Sequence, residues 1–197
     1  MTDNIALSFT ATLLVNGHSV FVLNEVTDRN VMVAHPDPNL GSMDVSSALG
    51  ALSTPDAAWD QARAAGQVDF HLTADVAATV LYFRHSEEGY HLYIRSGDYA
   101  GQGVFKSKYG VAMAHPIESN DPTPWRIRFG LTRQYMVLSD LITDFAIINL
   151  ECSSTGAGLT TNFIGTDEGG YFIARKSAPA TSFRLNILER GVDWSEA

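Results

Sequence analysis

The strongest constraint on this chain is a succession of short segments in which apolar and polar residues alternate, divided by turn residues at close intervals. They include Ala11 to Val15, Ser19 to Asn24, Val31 to Ala34, Val68 to Leu72, Thr79 to Phe83 and His91 to Arg95. Gly103 to Lys106, Val111 to Ala114, Trp125 to Phe129 and Gln134 to Leu138 follow, and then Phe145 to Leu150, Tyr171 to Ala174 and Ser182 to Leu188. A period of two puts alternate side chains on opposite faces of a strand, and the β-branched and aromatic residues in these runs suit that role. Asn16-Gly17, Glu87-Glu88-Gly89, Ser96-Gly97-Asp98 and Glu168-Gly169-Gly170 carry the turn chemistry between them. The expected class is all-β, built from short antiparallel strands. With 197 residues, one domain over 1–197 is the natural unit.

One stretch breaks the pattern. Ala57, Ala58, Trp59, Gln61, Ala62, Arg63, Ala64 and Ala65 are mostly helix formers, preceded by Ser53-Thr54-Pro55-Asp56 and followed by Gly66. A cap at Ser53 or Thr54, Pro55 in the first turn and Gly66 at the end predict one short helix near 55–65. Residues 37–52, just before it, read as an irregular loop.

The segments also repeat. Ala11-Thr12-Leu13-Leu14 recurs in kind as Ala78-Thr79-Val80-Leu81, and His18 to Leu23 parallels His91 to Arg95. Val31-Met32-Val33-Ala34-His35-Pro36 parallels Val111-Ala112-Met113-Ala114-His115-Pro116. A third copy can be traced through Arg126 to Phe129, Gln134 to Leu138 and Phe145 to Leu150. The expected units are approximately 9–75, 76–124 and 125–191.

In this threefold rhythm the chain resembles the β-trefoil superfamily, which includes ricin-type lectins, fascin-like modules and Kunitz-type or fungal protease inhibitors. The resemblance implies a closed threefold arrangement of short strands. The alternative is an antiparallel β-sandwich. The Gln-X-Trp signature of ricin-type lectins is absent, since Ala57, Thr123 and Val192 stand two residues before Trp59, Trp125 and Trp194.

Charge narrows the partners. The chain carries a formal net charge of −9, and residues 1–75 contain only Arg29 and Arg63 as cations. Such a surface repels phosphate backbones, so nucleic acid is not an expected partner. Cys152 is the only cysteine, which excludes an intramolecular disulfide, and its position after an apolar run predicts a buried thiol. No run reaches the length of a membrane-spanning helix, and Met1-Thr2-Asp3-Asn4 lacks the positive region of a signal peptide. The expected location is the cytoplasm, or outside the cell by a route that reads no such signal.

Candidate ligand-binding residues lie where the repeats leave their strands. His35 and His115 each precede Pro, and each is followed by a polar turn: Asp37 and Asn39 in the first, Asn120 and Asp121 in the second, with Trp125 nearby. Asp and Asn give paired hydrogen bonds to sugar hydroxyls and an aromatic ring gives a platform, but the same residues build ordinary turns. The histidines read equally as strand exits whose imidazoles bond a turn carbonyl. The six His residues contain no His-X-X-X-His or His-Glu-X-X-His pair, and no nucleophile elbow or phosphate loop occurs. The sequence therefore implies no metal or cofactor, and a non-enzymatic, lectin-like carbohydrate-binding protein. The alternative is a protein-binding module, such as a protease inhibitor or a toxin or effector component, whose presenting loop would be 37–52 or 153–168.

Overall fold

The computed structural model describes residues 4–53, 57–73 and 77–194. Strand β1 (Phe9–Val15) turns through Asn16-Gly17 into the short β2 (His18–Ser19), and both turn residues have positive φ. That geometry suits the right-handed twist of a two-residue hairpin. β3 (Phe21–Val22) follows and runs into a single helical turn, α1 (Leu23–Val26). β4 (Met32–Ala34) and β5 (Ser42–Asp44) then form a separate two-stranded sheet. β6 (Leu49–Leu52) returns to pair with β3, and α2 (Ala57–Ala64) supplies the helix.

Six strands close a barrel. They are β1, β7 (Leu81–Ser86), β8 (Gly89–Ile94), β11 (Pro124–Phe129), β13 (Phe145–Cys152) and β16 (Phe183–Arg190). Each pairs antiparallel with the next, and β16 returns to β1, so the ring closes. Closure leaves these six strands no free edge. It also overturns the sandwich alternative, which needs two open sheets face to face. Phe9 stacks on Phe83 at 4.6 Å between ring centroids inside the barrel, with Tyr90 edge-on at 5.4 Å to Phe9. Leu13, Leu92, Trp125 and Leu185 complete that interior, each 0–1% exposed.

Three hairpins leave the barrel between successive strand pairs. The first is β3 with β6, the second β9 (Gly103–Lys106) with β10 (Ala112–His115), the third β14 (Ala157–Phe163) with β15 (Gly169–Arg175). They are tied to one another in a triangle. β6 pairs with β15, Ala48 bridges Met113, and Val111 bridges Ile173. Single backbone bonds reinforce it, from Ala114 N–H to the Ser47 carbonyl at 2.7 Å and from Ala174 N–H to the Gly110 carbonyl at 2.8 Å.

A second core lies outside the barrel. Trp59 and Ala62 of α2 pack with Phe70, Leu23 and Val45 against Ile173 of the hairpins. Trp59 N–H donates to Ser53 Oγ at 2.9 Å, so the buried indole is satisfied. The helix falls where the sequence predicts it, although the proposed Thr54 cap and Pro55 lie outside the described residues.

The structure departs from the expectations in four places. Val68 to Leu72 is not a strand; it covers α2 and makes one bridge, Thr27 to Leu72. Residues 37–52 are not one irregular loop, since they hold β5 and β6. Residues 153–168 include β14, so neither segment is wholly without regular structure. Gln134 to Leu138 shortens to β12 (Tyr135–Met136), which pairs only with β11. Among the described residues no helix is long and apolar enough to cross a membrane.

Candidate functional site

The first predicted loop is occupied with itself. Asp37 N–H donates to His35 Nδ1 at 2.9 Å, and Asp37 Oδ1 accepts from the Asn39 backbone N–H at 3.0 Å and from Asn39 Nδ2 at 2.9 Å. These bonds cap the short turn Pro38–Leu40, which is the ordinary use of Asp before Pro. The His35 ring stands edge-on to Tyr109 at 4.6 Å. His35, Asp37 and Asn39 thus hold the turn of the outer two-stranded sheet in shape, whereas His115 lies on β10 of the main sheet.

The second loop divides. Asp121 turns toward the barrel, where Arg84 Nη2 reaches Oδ2 at 2.6 Å and the Tyr93 hydroxyl donates to Oδ1 at 3.0 Å. Trp125 is fully buried at 0% exposure in the barrel interior, so its ring is not a surface platform. His115 and Asn120 remain. They line a hollow of about 270 Å³ with Phe105, Pro116, Glu118 and Ser119. His115 Nδ1–H donates to the Pro116 carbonyl at 3.0 Å. Glu118, Ser119 and Asn120 are exposed, and their side chains make no hydrogen bond or ion pair to a described residue. The aromatic wall is Phe105, edge-on to His115 at 5.8 Å, a residue the sequence reading did not single out. Gly103 makes room for it, because a Cβ there would meet Pro122 Cγ at 2.3 Å and Phe105 Cε2 at 2.9 Å.

A larger hollow of about 1180 Å³ opens at the other end of the barrel, where β11 runs through the 130–144 connection into β13. Phe129, Met136 and Leu141 contribute half-buried or buried side chains. Leu131 at 86% and Ile142 at 95% exposure stand at its lips, with Phe145 and Ile147 along β13. Exposed apolar side chains gathered in one place mark a binding surface more often than chance. Nothing in the strand pattern announces this hollow. The only signal is an isolated Leu131 and Ile142 among polar turn residues.

Beside it lies a polar basin of about 420 Å³ lined by Arg128, Arg133, Arg175 and Lys176, with Glu151 as its carboxylate. Arg128 Nη2 donates to the Tyr135 hydroxyl at 2.6 Å, Tyr135 donates to Glu151 Oε1 at 2.6 Å, and Arg128 Nη2 lies 2.7 Å from Glu151 Oε2. The bond to Tyr135, followed by the Glu151 charge, holds the Arg128 guanidinium above its usual range despite partial burial. Arg133 sits at φ 59°, a left-handed backbone that costs a residue other than Gly or Asn about 1 kcal/mol.

Reactive chemistry is sparse among the described residues. No three His, Cys, Asp or Glu side chains converge as metal ligands. Cys152 is buried, as the sequence predicts. Burial pushes its thiol up, but hydrogen bonds from Ser154 and Thr155 outweigh that and draw it below its ordinary value. A thiol with 0% exposure has no access to a substrate. No protein family, no curated protein and no solved structure matches the chain.

Proposed function

We propose that this chain is a non-enzymatic binding protein on a β-trefoil-like scaffold, and that its ligand is a carbohydrate. The support for the scaffold is the sequence of barrel strand, hairpin, barrel strand, repeated three times around a closed ring. On this reading the units run 9–86, 89–129 and 145–190, each giving two barrel strands and one hairpin. The boundaries then fall after Leu81–Ser86, not before it.

The observation that carries the ligand class is the hollow of Phe105, His115, Glu118, Ser119 and Asn120. It offers an amide that donates and accepts, a carboxylate that accepts, a hydroxyl that does both, and an aromatic face. Such a set fits the alternating hydroxyls and C–H faces of a sugar ring. Glu118 is the single carboxylate in the hollow, whereas glycosidase chemistry needs two across the scissile bond. Affinity at one shallow site of this kind is modest.

The test is a broad glycan array with the labelled protein, repeated with Asn120→Ala and Glu118→Ala. A focused set of hits that both variants lose supports the reading. A blank array from folded protein rejects it and moves the reading to a protein partner.

A further inference from the structure

The apolar hollow and the basic basin are one surface. Arg133 lines both. Along the outward face of β13 the residues change from Phe145 and Ile147 to Asn149 and Glu151, so the face passes from apolar to polar within a few residues. At roughly 3.3 Å per residue, Phe145 and Asn149 stand about 13 Å apart along the strand. Gly130 of the basin lies against Ile147 of the hollow, where a Cβ would meet Ile147 Cγ2 at 3.0 Å.

The charge at the polar end has one sign to spare. Four cations line the basin, and its carboxylate, Glu151, is already held by Arg128 and Tyr135. In a chain of net charge −9, such a basin selects an anion locally. We propose that this surface binds a free amphiphilic anion, an apolar chain or ring with one negative head group. Its apolar part lies against Ile142, Phe145 and Ile147, and its head group meets Arg133.

Two other occupants fit less well. An anionic bilayer presents charge over its whole area, and the remaining surface of this acidic chain would be repelled within a Debye length of about 8 Å. A peptide added as a strand needs a free sheet edge; β11 and β13 are each paired on both sides in the barrel, and the edge at the hollow, β12, is only two residues long.

The probe is dodecanoate below its micelle concentration, followed by titration calorimetry and by methyl chemical shifts of the isoleucines. One dodecanoate per chain is expected, with shifts at Ile142 and Ile147. Arg133→Asn is tolerated by the left-handed backbone and should weaken binding at least tenfold, while Arg133→Lys restores part of it. Ile142→Asp should weaken it to a similar degree, and dodecyltrimethylammonium, with the same tail and opposite head, should bind at least tenfold less well. Circular dichroism checks that each variant is folded. Equal binding of the two head groups would overturn the proposal, as would unchanged affinity in Arg133→Asn, no binding at millimolar dodecanoate, or binding only to phosphatidylserine vesicles.

Discussion

Arg84 reaches from the outward side of β7 to the carboxylate of Asp121 at 2.6 Å, and the Tyr93 hydroxyl takes the other oxygen at 3.0 Å. The loop ahead of β11 is thereby fastened to two barrel strands. Burial acts to raise the Asp121 carboxyl, but the hydrogen bonds from Arg84 and Tyr93 and the Arg84 charge outweigh it and hold the group below its ordinary 3.8. A depressed carboxyl contributes stability that is present above the unfolded value and is lost as pH falls through the folded one. Asp121→Ala should therefore cost about 1–2 kcal/mol near neutral pH, a figure kept small by solvent screening, and should flatten the acid limb of the stability curve. Asn120→Ala, one residue away and exposed, should cost less than about 0.5 kcal/mol. Urea denaturation of the two variants at pH 7 and at pH 3.5 separates the structural residue from the candidate ligand residue.

His85 offers a second pH dependence of the same sense. Its ring sits edge-on to Tyr90 at 5.2 Å, and its Nδ1 is buried without a hydrogen-bond partner. Burial lowers its proton affinity below the ordinary 6.5, so the folded chain favours the neutral ring. Unfolding frees the ring to take up a proton. The contribution is complete above about pH 6.5 and declines as pH falls toward the folded value. Melting temperatures measured between pH 7.5 and pH 5 should fall for the parent chain, and His85→Asn should fall less steeply. Parallel slopes for the two proteins would assign the decline to other groups.

Leu141 and Ile142 are neighbours with opposite fates, 5% and 95% exposed. Placing Asp at 141 buries an unpaired charge in the barrel-end core and should cost roughly 3 kcal/mol or more. The same change at 142 removes a side chain that water already surrounds and should move stability by no more than about 0.5 kcal/mol. Thermal unfolding of the two variants reads the difference directly. A large loss at Ile142→Asp would mean that this lip is covered in solution.

The strands were legible wherever alternation and burial agree. Trp125-Arg126-Ile127-Arg128 reads as two faces, and β11 buries Trp125 and Ile127 while Arg126 stays outside. β14 escaped because Gly156-Ala157-Gly158 looks like a flexible loop; in the fold Gly158 is needed where a Cβ would meet Ala180 Cβ at 2.9 Å. Val68 and Phe70 carry a strand pattern, yet their apolar side chains serve the core around α2, a tertiary demand that local sequence does not reveal. The loop residues divide for a related reason. His35, Asp37, Asn39 and Asp121 have the chemistry of a binding site, but internal partners lie within reach and take up their hydrogen bonds. His115 and Asn120 stay available because Phe105, far back on β9, holds the other side of their hollow.

That dependence on β9 makes Gly103 the sharpest probe of the hollow. A methyl group there would press on Pro122 and on the Phe105 ring, and Pro122 cannot yield freely. Pro122 is rigid and buried, and its carbonyl accepts the Nδ1–H of buried His91 at 2.6 Å. Phe105 is then the side that moves, and moving it takes the aromatic wall away from His115. Gly103→Ala should cost about 1–3 kcal/mol through overpacking. It should also reduce glycan binding as severely as Asn120→Ala does, whereas Asn120→Ala leaves stability nearly unchanged. The comparison is made by urea denaturation and by titration with whichever glycan the array selects. Retained affinity in Gly103→Ala, together with the expected loss of stability, would remove Phe105 from the site and leave the loop polar groups to bind alone.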